Sequence, residues 1–259
     1  APAKNFLRQN IWRHSYNLIS RVNLVLKYKD VVLDEKQRKQ YEAEVKFLRA
    51  WAYFNLVRYF GGVPLVTTPI SSKEAREMAR ASVEDVYTLI EADLTDAYKL
   101  LDEVTDTYKP VHGKVNRWAA KGLLAKVYLT RGNKASAQPL LEDVYKNSGY
   151  KLTQNYEDLF VATLENTKGK EEILFPVRLK GGSLGIGNTF STLLGQVNIS
   201  VFGSNLSYWS EDLRSVFHTT SDPVTDRRYA VTCGEIPGTA IVGLPGELKR
   251  YPPKGVGLI

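Results

Sequence analysis

The sequence predicts a mostly α-helical protein: a helical scaffold over residues 1–150, followed by a loop-rich, strand-containing second half over 151–259. Three observations lead there. Apolar residues recur at helical spacing through the first half. One helix pair carries small residues where two backbones must meet. After about residue 150 this period gives way to Gly, Ser, Asn and aromatic residues.

From about Asn5 to Tyr28, apolar positions including Ile11, Trp12, Leu18, Ile19, Val22 and Leu26 follow the helical period. Asp34 is placed to N-cap a second helix that reaches Phe60, close to 40 Å at about 1.5 Å per residue. The C-terminal half of this helix, Phe47 to Val57, is apolar nearly all round, which puts it in the middle of a bundle with Trp51 in the core. Gly61-Gly62 ends it and Pro64 blocks a restart. Ser82 and Asp85 form a capping-box variant at the head of a third helix, to about Glu103. That helix is acidic and is expected to lie beside the basic second one. Arg49 and Arg58 are expected to pair with it. Asn116 caps a fourth helix, to Gly132, and a fifth runs from about Lys134 to Asn147.

The fourth and fifth helices carry the sharpest pattern. Leu124, Ala125, Tyr128, Gly132, Ala137, Leu141 and Val144 follow the small-and-large order of the tetratricopeptide repeat, about 34 residues long. Ala125 and Ala137 let two antiparallel helices approach, while Tyr128, Leu141 and Val144 fill the gap. An ordinary helical hairpin is the plainer alternative. A single repeat is not stable alone, so the earlier helices are expected to flank it. In the second half, Glu171 to Arg178 is strand-like, with Pro176 pointing to a sheet edge. Residues 180–210 form a long irregular stretch of the kind that carries function.

Composition narrows the chemistry. With 43% hydrophobic and 24% charged residues the 259-residue chain is globular, and no apolar run reaches the roughly 18 residues of a membrane-spanning helix. One cysteine, Cys233, excludes an internal disulfide framework and a multi-Cys zinc site, and three dispersed histidines leave little for a metalloenzyme, so no metal or cofactor is expected. Residues 1–60 hold 12 Lys/Arg and 5 Asp/Glu, so the whole net charge of +7 resides there. A nucleic-acid surface is one reading; the interleaved Asp30, Asp34, Glu35, Glu42 and Glu44 make a solvated helix face the better one. Glu171 and Glu172 are adjacent, and neighbours on a strand point to opposite faces, so they cannot flank one glycosidic bond. Gly182, Gly185 and Gly187 do not make a dinucleotide fingerprint, and no Ser-His-Asp spacing stands out. No catalytic residue is assigned.

Phe47 to Thr67 (FLRAWAYFNLVRYFGGVPLVT) resembles the hallmark of the SusD/RagB-like outer-membrane lipoproteins: an Arg-Ala pair, an aromatic-rich helix, then Phe-Gly-x-Val-Pro-Leu. Gly62 stands where the family often has an acid. Trp12, Tyr16, Ile19 and Asn23 resemble the family's preceding helix, and Gly113 to Asn133 its Ala-Ala-Lys-x-Leu-Leu-Ala helix. Asp226-Arg227-Arg228 and Lys249-Arg250-Tyr251 resemble a later pair of motifs.

The resemblance implies capture of oligosaccharide or another oligomeric nutrient at the cell surface of a Bacteroidota-type Gram-negative bacterium, without catalysis. It implies a TonB-dependent β-barrel partner of the SusC-like type, no nucleic acid, and a membrane link only through a lipid anchor. Family members begin with a signal peptide and a lipidated cysteine and end in a further helical block. Ala1-Pro2-Ala3 and the apolar Gly255–Ile259 read as cut ends, and Cys233 is mid-chain. An apolar surface left by the absent helices is therefore expected. Sugar rings stack their C–H faces on aromatic rings and hydrogen-bond through their hydroxyls. The candidate ligand residues are Trp209 as platform, Tyr208 beside it, Asn205 as polar contact, Phe202, and Trp12 as a second aromatic. Packing of Trp209 onto the helices is the alternative, as is core packing for Trp12. The rival function is a tetratricopeptide-type scaffold that binds protein only.

Overall fold

A computed structural model describes residues 7–104, 114–154 and 172–175. The chain divides into two units, one of Ala1–Tyr150 with Leu174–Pro176, the other of Lys151–Ile173 with Val177–Ile259. The described residues are mostly helical, and none is in a strand.

The first unit opens with a wide π-helical turn, Leu7–Trp12, that runs into α1, Arg13–Tyr28. A 3-10 turn at Lys29–Val31 leads to α2, Glu35–Phe60. Asp34 caps α2 as expected, its carboxylate accepting from the Gln37 amide at 2.7 Å. Gly61 ends it at φ 69°, a left-handed conformation that glycine adopts without a Cβ penalty. Ala43, Phe47, Ala50, Phe54 and Val57 line one buried face of α2; Arg49, Tyr53 and Leu56 widen it. The helix is therefore central, with α1 on one side and α4, Val83–Val104, on another.

The acidic α4 lies against the basic α2, as the charge pattern required. Lys46 reaches Asp96 at 2.7 Å and Lys39 reaches Glu103 at 3.0 Å across this interface. Ser82 heads α4, its hydroxyl accepting from the Asp85 amide at 3.0 Å, while Asp85 accepts from the Ser82 amide at 3.3 Å. Between α2 and α4 the chain is extended and then forms the short α3, Ser72–Glu77, behind a full Ser71–Glu74 capping box. The sequence reading had only a connection there. The ends of this connection close on each other: the Ala81 amide donates to the Val63 carbonyl at 3.1 Å. A Cβ at Gly62 would sit 2.3 Å from the Ala81 oxygen. Glycine at 62, the position where this sequence departs from the family hallmark, is what that approach needs.

α5, Arg117–Thr130, and α6, Lys134–Asn147, form the helical hairpin, capped by Asn116 and Asn133. Gly132 turns the corner at φ 77°. Ala125 and Ala137 are both fully buried where the pattern placed them. Leu141 is not: it is exposed, and Leu140, about 100° away round the helix, packs against the core instead. Pro139 lies inside α6 although it cannot donate to the helix ladder. Trp118 is buried.

The strand-like segment 171–178 is described only at 172–175, where it turns and bends. Leu174 and Phe175 pack on the core of the first unit, Phe175 edge-on to Phe47 with ring centres 5.1 Å apart. The Tyr150 hydroxyl donates to the Leu174 carbonyl at 3.3 Å and accepts from the Asn116 amide at 2.9 Å. Glu172, in the second unit, accepts from the Thr153 amide at 2.8 Å. That gives it a structural partner.

Two outcomes follow for stability. Gly62→Ala is expected to cost about 1–3 kcal/mol, because the opposing atom is backbone and cannot swing away. Gly122→Ala faces only the Leu174 Cδ1 at 2.9 Å, a flexible side-chain end, and should cost less; urea midpoints compare the two. In the hairpin, Lys121 and Asn147 donate to Asp143 at 2.8 and 2.7 Å and hold its carboxyl below the usual carboxylate range. A folded-state value below the unfolded one stabilises above the usual carboxylate range and is lost as pH falls through the folded value. Asp143→Asn is therefore expected to flatten the acid limb of stability against pH, with little change at neutral pH beyond the lost pair.

Candidate functional site

The hallmark helix presents two different surfaces. Its buried side is organised by one guanidinium. Arg49 donates through Nε and Nη2 to the two carboxylate oxygens of Asp93 on α4, at 2.7 and 2.8 Å. Its Nη1 donates to the Asn23 side-chain oxygen on α1 at 2.9 Å and to the Thr67 carbonyl at 3.3 Å. Asn23 in turn donates to the Val66 carbonyl at 2.8 Å. Burial raises the Asp93 carboxyl, opposed by the two hydrogen bonds and the charge of Arg49. Burial also works against the Arg49 charge, and Asp93 outweighs it. Arg49 thus pairs with the acidic helix as the sequence implied.

Tyrosines finish the same job. The Tyr53 hydroxyl accepts from the Val66 amide at 2.7 Å and donates to its carbonyl at 3.2 Å; the Tyr16 hydroxyl donates to the Pro64 carbonyl at 2.8 Å. Desolvation pushes the Tyr53 hydroxyl up to about 12 and raises Tyr16 too, so both stay protonated at neutral pH. Trp12 belongs to this cluster. Its ring lies 5.0 Å from Tyr16 and 5.1 Å from Phe60, the latter edge-on, and it is half-buried against the core.

The outer side of α2 is where the structure departs from the sequence reading. Trp51 is not in the core but 42% exposed. Arg58 does not pair with α4: it is exposed, with Nε donating to its own helix at Phe54 O, 3.1 Å, and Nη2 to the Asn55 side chain at 2.6 Å. Its guanidinium lies over the Phe54 ring, 4.2 Å from the centre. Asn55 also donates to the Trp51 carbonyl at 3.1 Å. Tyr59, 57% exposed, completes the row. Trp51, Asn55, Arg58 and Tyr59 are spaced by four, three and one residues, so they share one helical face. Two flat rings with an amide and a guanidinium held between them suit a ligand with both apolar faces and hydroxyls. The polar residues at 55 and 58 were the signal in the sequence; the apolar density around them hid it.

Among the described residues no group of three His, Cys, Asp or Glu is arranged to hold a metal ion. No helix there is long and apolar enough to cross a membrane. Trp209, Tyr208, Asn205 and Phe202 lie outside the described residues. Of the candidate ligand residues, the structure describes Trp12 alone.

A family model described as starch-binding and associating with the outer membrane matches residues 3–129. A SusD-like protein of Bacteroides ovatus is 32% identical over 180 residues, 63% of this chain and 31% of that protein. The chain belongs to the SusD/RagB-like family. This SusD-like chain also resembles a solved laminarin-binding SusD-like protein, at 38% identity and a TM-score of 0.56, over 60% of this chain and 35% of that one. A structure solved with xylogluco-oligosaccharide is 28% identical with a TM-score of 0.61, over 78% of this chain and 41% of that one. The chain spans about a third of the length of the curated relatives it matches.

For the SusD-like helical core, Arg49→Ala is expected to destabilise by about 3–5 kcal/mol, since it leaves Asp93 buried without its partner. Arg49→Met combined with Asp93→Leu should recover much of that loss. Chemical unfolding of the three proteins measures both steps.

Proposed function

We propose that this SusD-like protein captures oligosaccharide at the cell surface without altering it chemically. The single observation that carries the reading is the likeness, at 38% identity, to a solved protein named as laminarin-binding. The structure solved with xylogluco-oligosaccharide supports the same ligand class. In this reading the 188–217 stretch forms the principal contact, with Trp209 as stacking platform, Tyr208 beside it, Asn205 on sugar hydroxyls and Phe202 at the margin. Residues 151–259 are then the ligand-binding region and 1–150 the scaffold. Trp51, Asn55, Arg58 and Tyr59 offer a further aromatic and polar face of suitable chemistry on the scaffold itself.

The remaining steps follow from the family's life at the outer membrane. A lipid anchor holds the protein at the surface of a Gram-negative cell, and captured glycan passes to a TonB-dependent, SusC-like β-barrel. The energy of import belongs to that partner.

The test is affinity electrophoresis of the protein through gels holding laminarin, xyloglucan or starch. Retention by at least one glycan is expected. Trp209→Ala is expected to weaken it about tenfold or more with unchanged far-UV circular dichroism, since stacking aromatics dominate such sites. No retention by any glycan of a broad panel overturns the reading. Retention that Trp209→Ala leaves intact removes that residue from the site. A second reading, a protein-binding tetratricopeptide scaffold, is favoured by the α5–α6 hairpin with its paired buried alanines. It requires a peptide ligand whose binding is lost on altering exposed hairpin residues such as Leu141 and Tyr145.

A further inference from the structure

The outward row on α2 differs in chemistry from the other exposed apolar positions. Fourteen large hydrophobic residues are exposed among the described ones, and nine of them are aliphatic. On α2 all three, Tyr41, Trp51 and Tyr59, are aromatic rings that carry a polar atom. Trp51 and Tyr59 flank Asn55 and Arg58. They are separated by about 12 Å along the helix axis and by about 80° round it, at 1.5 Å and 100° per residue. A ligand that touches both rings must therefore be extended along the helix.

The polar pair between the rings is held in place before any ligand arrives. Arg58 uses Nε on the Phe54 carbonyl and Nη2 on the Asn55 side-chain oxygen, and its guanidinium lies over the Phe54 ring. Asn55 in turn is tied to the Trp51 carbonyl. Neither side chain has much rotamer freedom left to lose on binding. Among the described residues the Arg58 Nη1 group has no hydrogen-bond partner and the guanidinium pairs with no carboxylate. The Tyr59 end is braced as well. Its ring lies 6.3 Å from Phe60, which packs edge-on against Trp12 at 5.1 Å.

We propose that this row is a glycan contact made by the scaffold itself, taking an oligosaccharide chain long enough to lie across both rings. The inference rests on the oligosaccharide reading and adds a site to it. Two sugar units place their C–H faces on Trp51 and Tyr59. Hydroxyl oxygens between them accept from the Arg58 Nη1 group and from the second amide hydrogen of Asn55. A protein interface has the reverse layout, an apolar centre inside a polar rim; here the polar pair is central and the rings stand at the ends. A monosaccharide reaches one ring only, so this row rewards chain length. A polysaccharide held here and at another point on the same protein gains avidity without any tighter single contact.

The experiment is affinity electrophoresis of the full chain and its variants through gels holding laminarin, xyloglucan or starch. Trp51→Ala with Tyr59→Ala is expected to weaken retention about fivefold or more, because two stacking contacts are lost. Thermal unfolding should not change, since both rings face water. Trp51→Phe with Tyr59→Phe keeps the rings and is expected to stay within about twofold of wild type. Arg58→Lys keeps the charge but not the fork and should weaken retention severalfold. Tyr28→Ala, which removes a similarly exposed tyrosine of α1, should not. Calorimetry with oligosaccharides cut from the retaining polysaccharide should show affinity rising more steeply with chain length in wild type than in the alanine pair. No retention of wild type by any glycan overturns the capture reading and this inference with it. Wild-type retention that the alanine pair leaves intact, or that Tyr28→Ala lowers as much, overturns this inference alone. If the alanine pair unfolds earlier, Arg58→Lys decides: unchanged retention then overturns the inference. An alanine pair that keeps glycan retention but loses binding to a purified β-barrel partner makes the row a protein-docking surface and also overturns it.

Discussion

The first unit depends on a buried charge that must be satisfied from several directions at once. Arg49 on α2 reaches Asp93 on α4, Asn23 on α1 and the Thr67 carbonyl of the extended segment. Taking both ions out of water is costly, and a hydrophobic substitute of the same size is often as stable. What the pair adds is discrimination. A shift of α1 or α4 by one turn leaves an ion without its partner in the core, so alternatives to this packing carry a penalty of several kcal/mol.

The same logic explains why the hallmark is rich in aromatics and yet need not touch ligand there. The segment after Gly61 is extended, and its backbone has no sheet to pair with among the described residues. Its polar groups are satisfied by side chains: Pro64 by Tyr16, Val66 by Tyr53 and Asn23, Thr67 by Arg49. Each buried carbonyl requires such a partner. Trp12 and Phe60 then seal the cluster by ring packing. The buried letters of the motif, Arg49, Tyr53, Pro64 and Val66 among them, thus support a bent connection.

Charge is divided in the same orderly way. The acidic face of α4 absorbs Lys39, Lys46 and Arg49 of α2, and Arg131 spans Glu84 and Glu91.

Much of the helical half was legible in the sequence because its signals are local. Asp34, Ser82 and Asn116 cap helices through atoms three residues away, and Gly61 and Gly132 turn corners through their own φ. The Ala125–Ala137 approach was readable because repeat spacing encodes it. The outward row of Trp51, Asn55, Arg58 and Tyr59 was not, for apolar density along a helix does not say how wide a stripe its neighbours will cover. Over the C-terminal half of α2, it is that row that its neighbours leave uncovered. Nor was the exchange of Leu141 for Leu140 legible, since a rotation of about 100° depends on which neighbour the helix meets. The sequence by itself determined where helices begin and end and which charges must find partners. Only the tertiary structure decided which aromatic rings face water, because exposure is a property of what packs alongside.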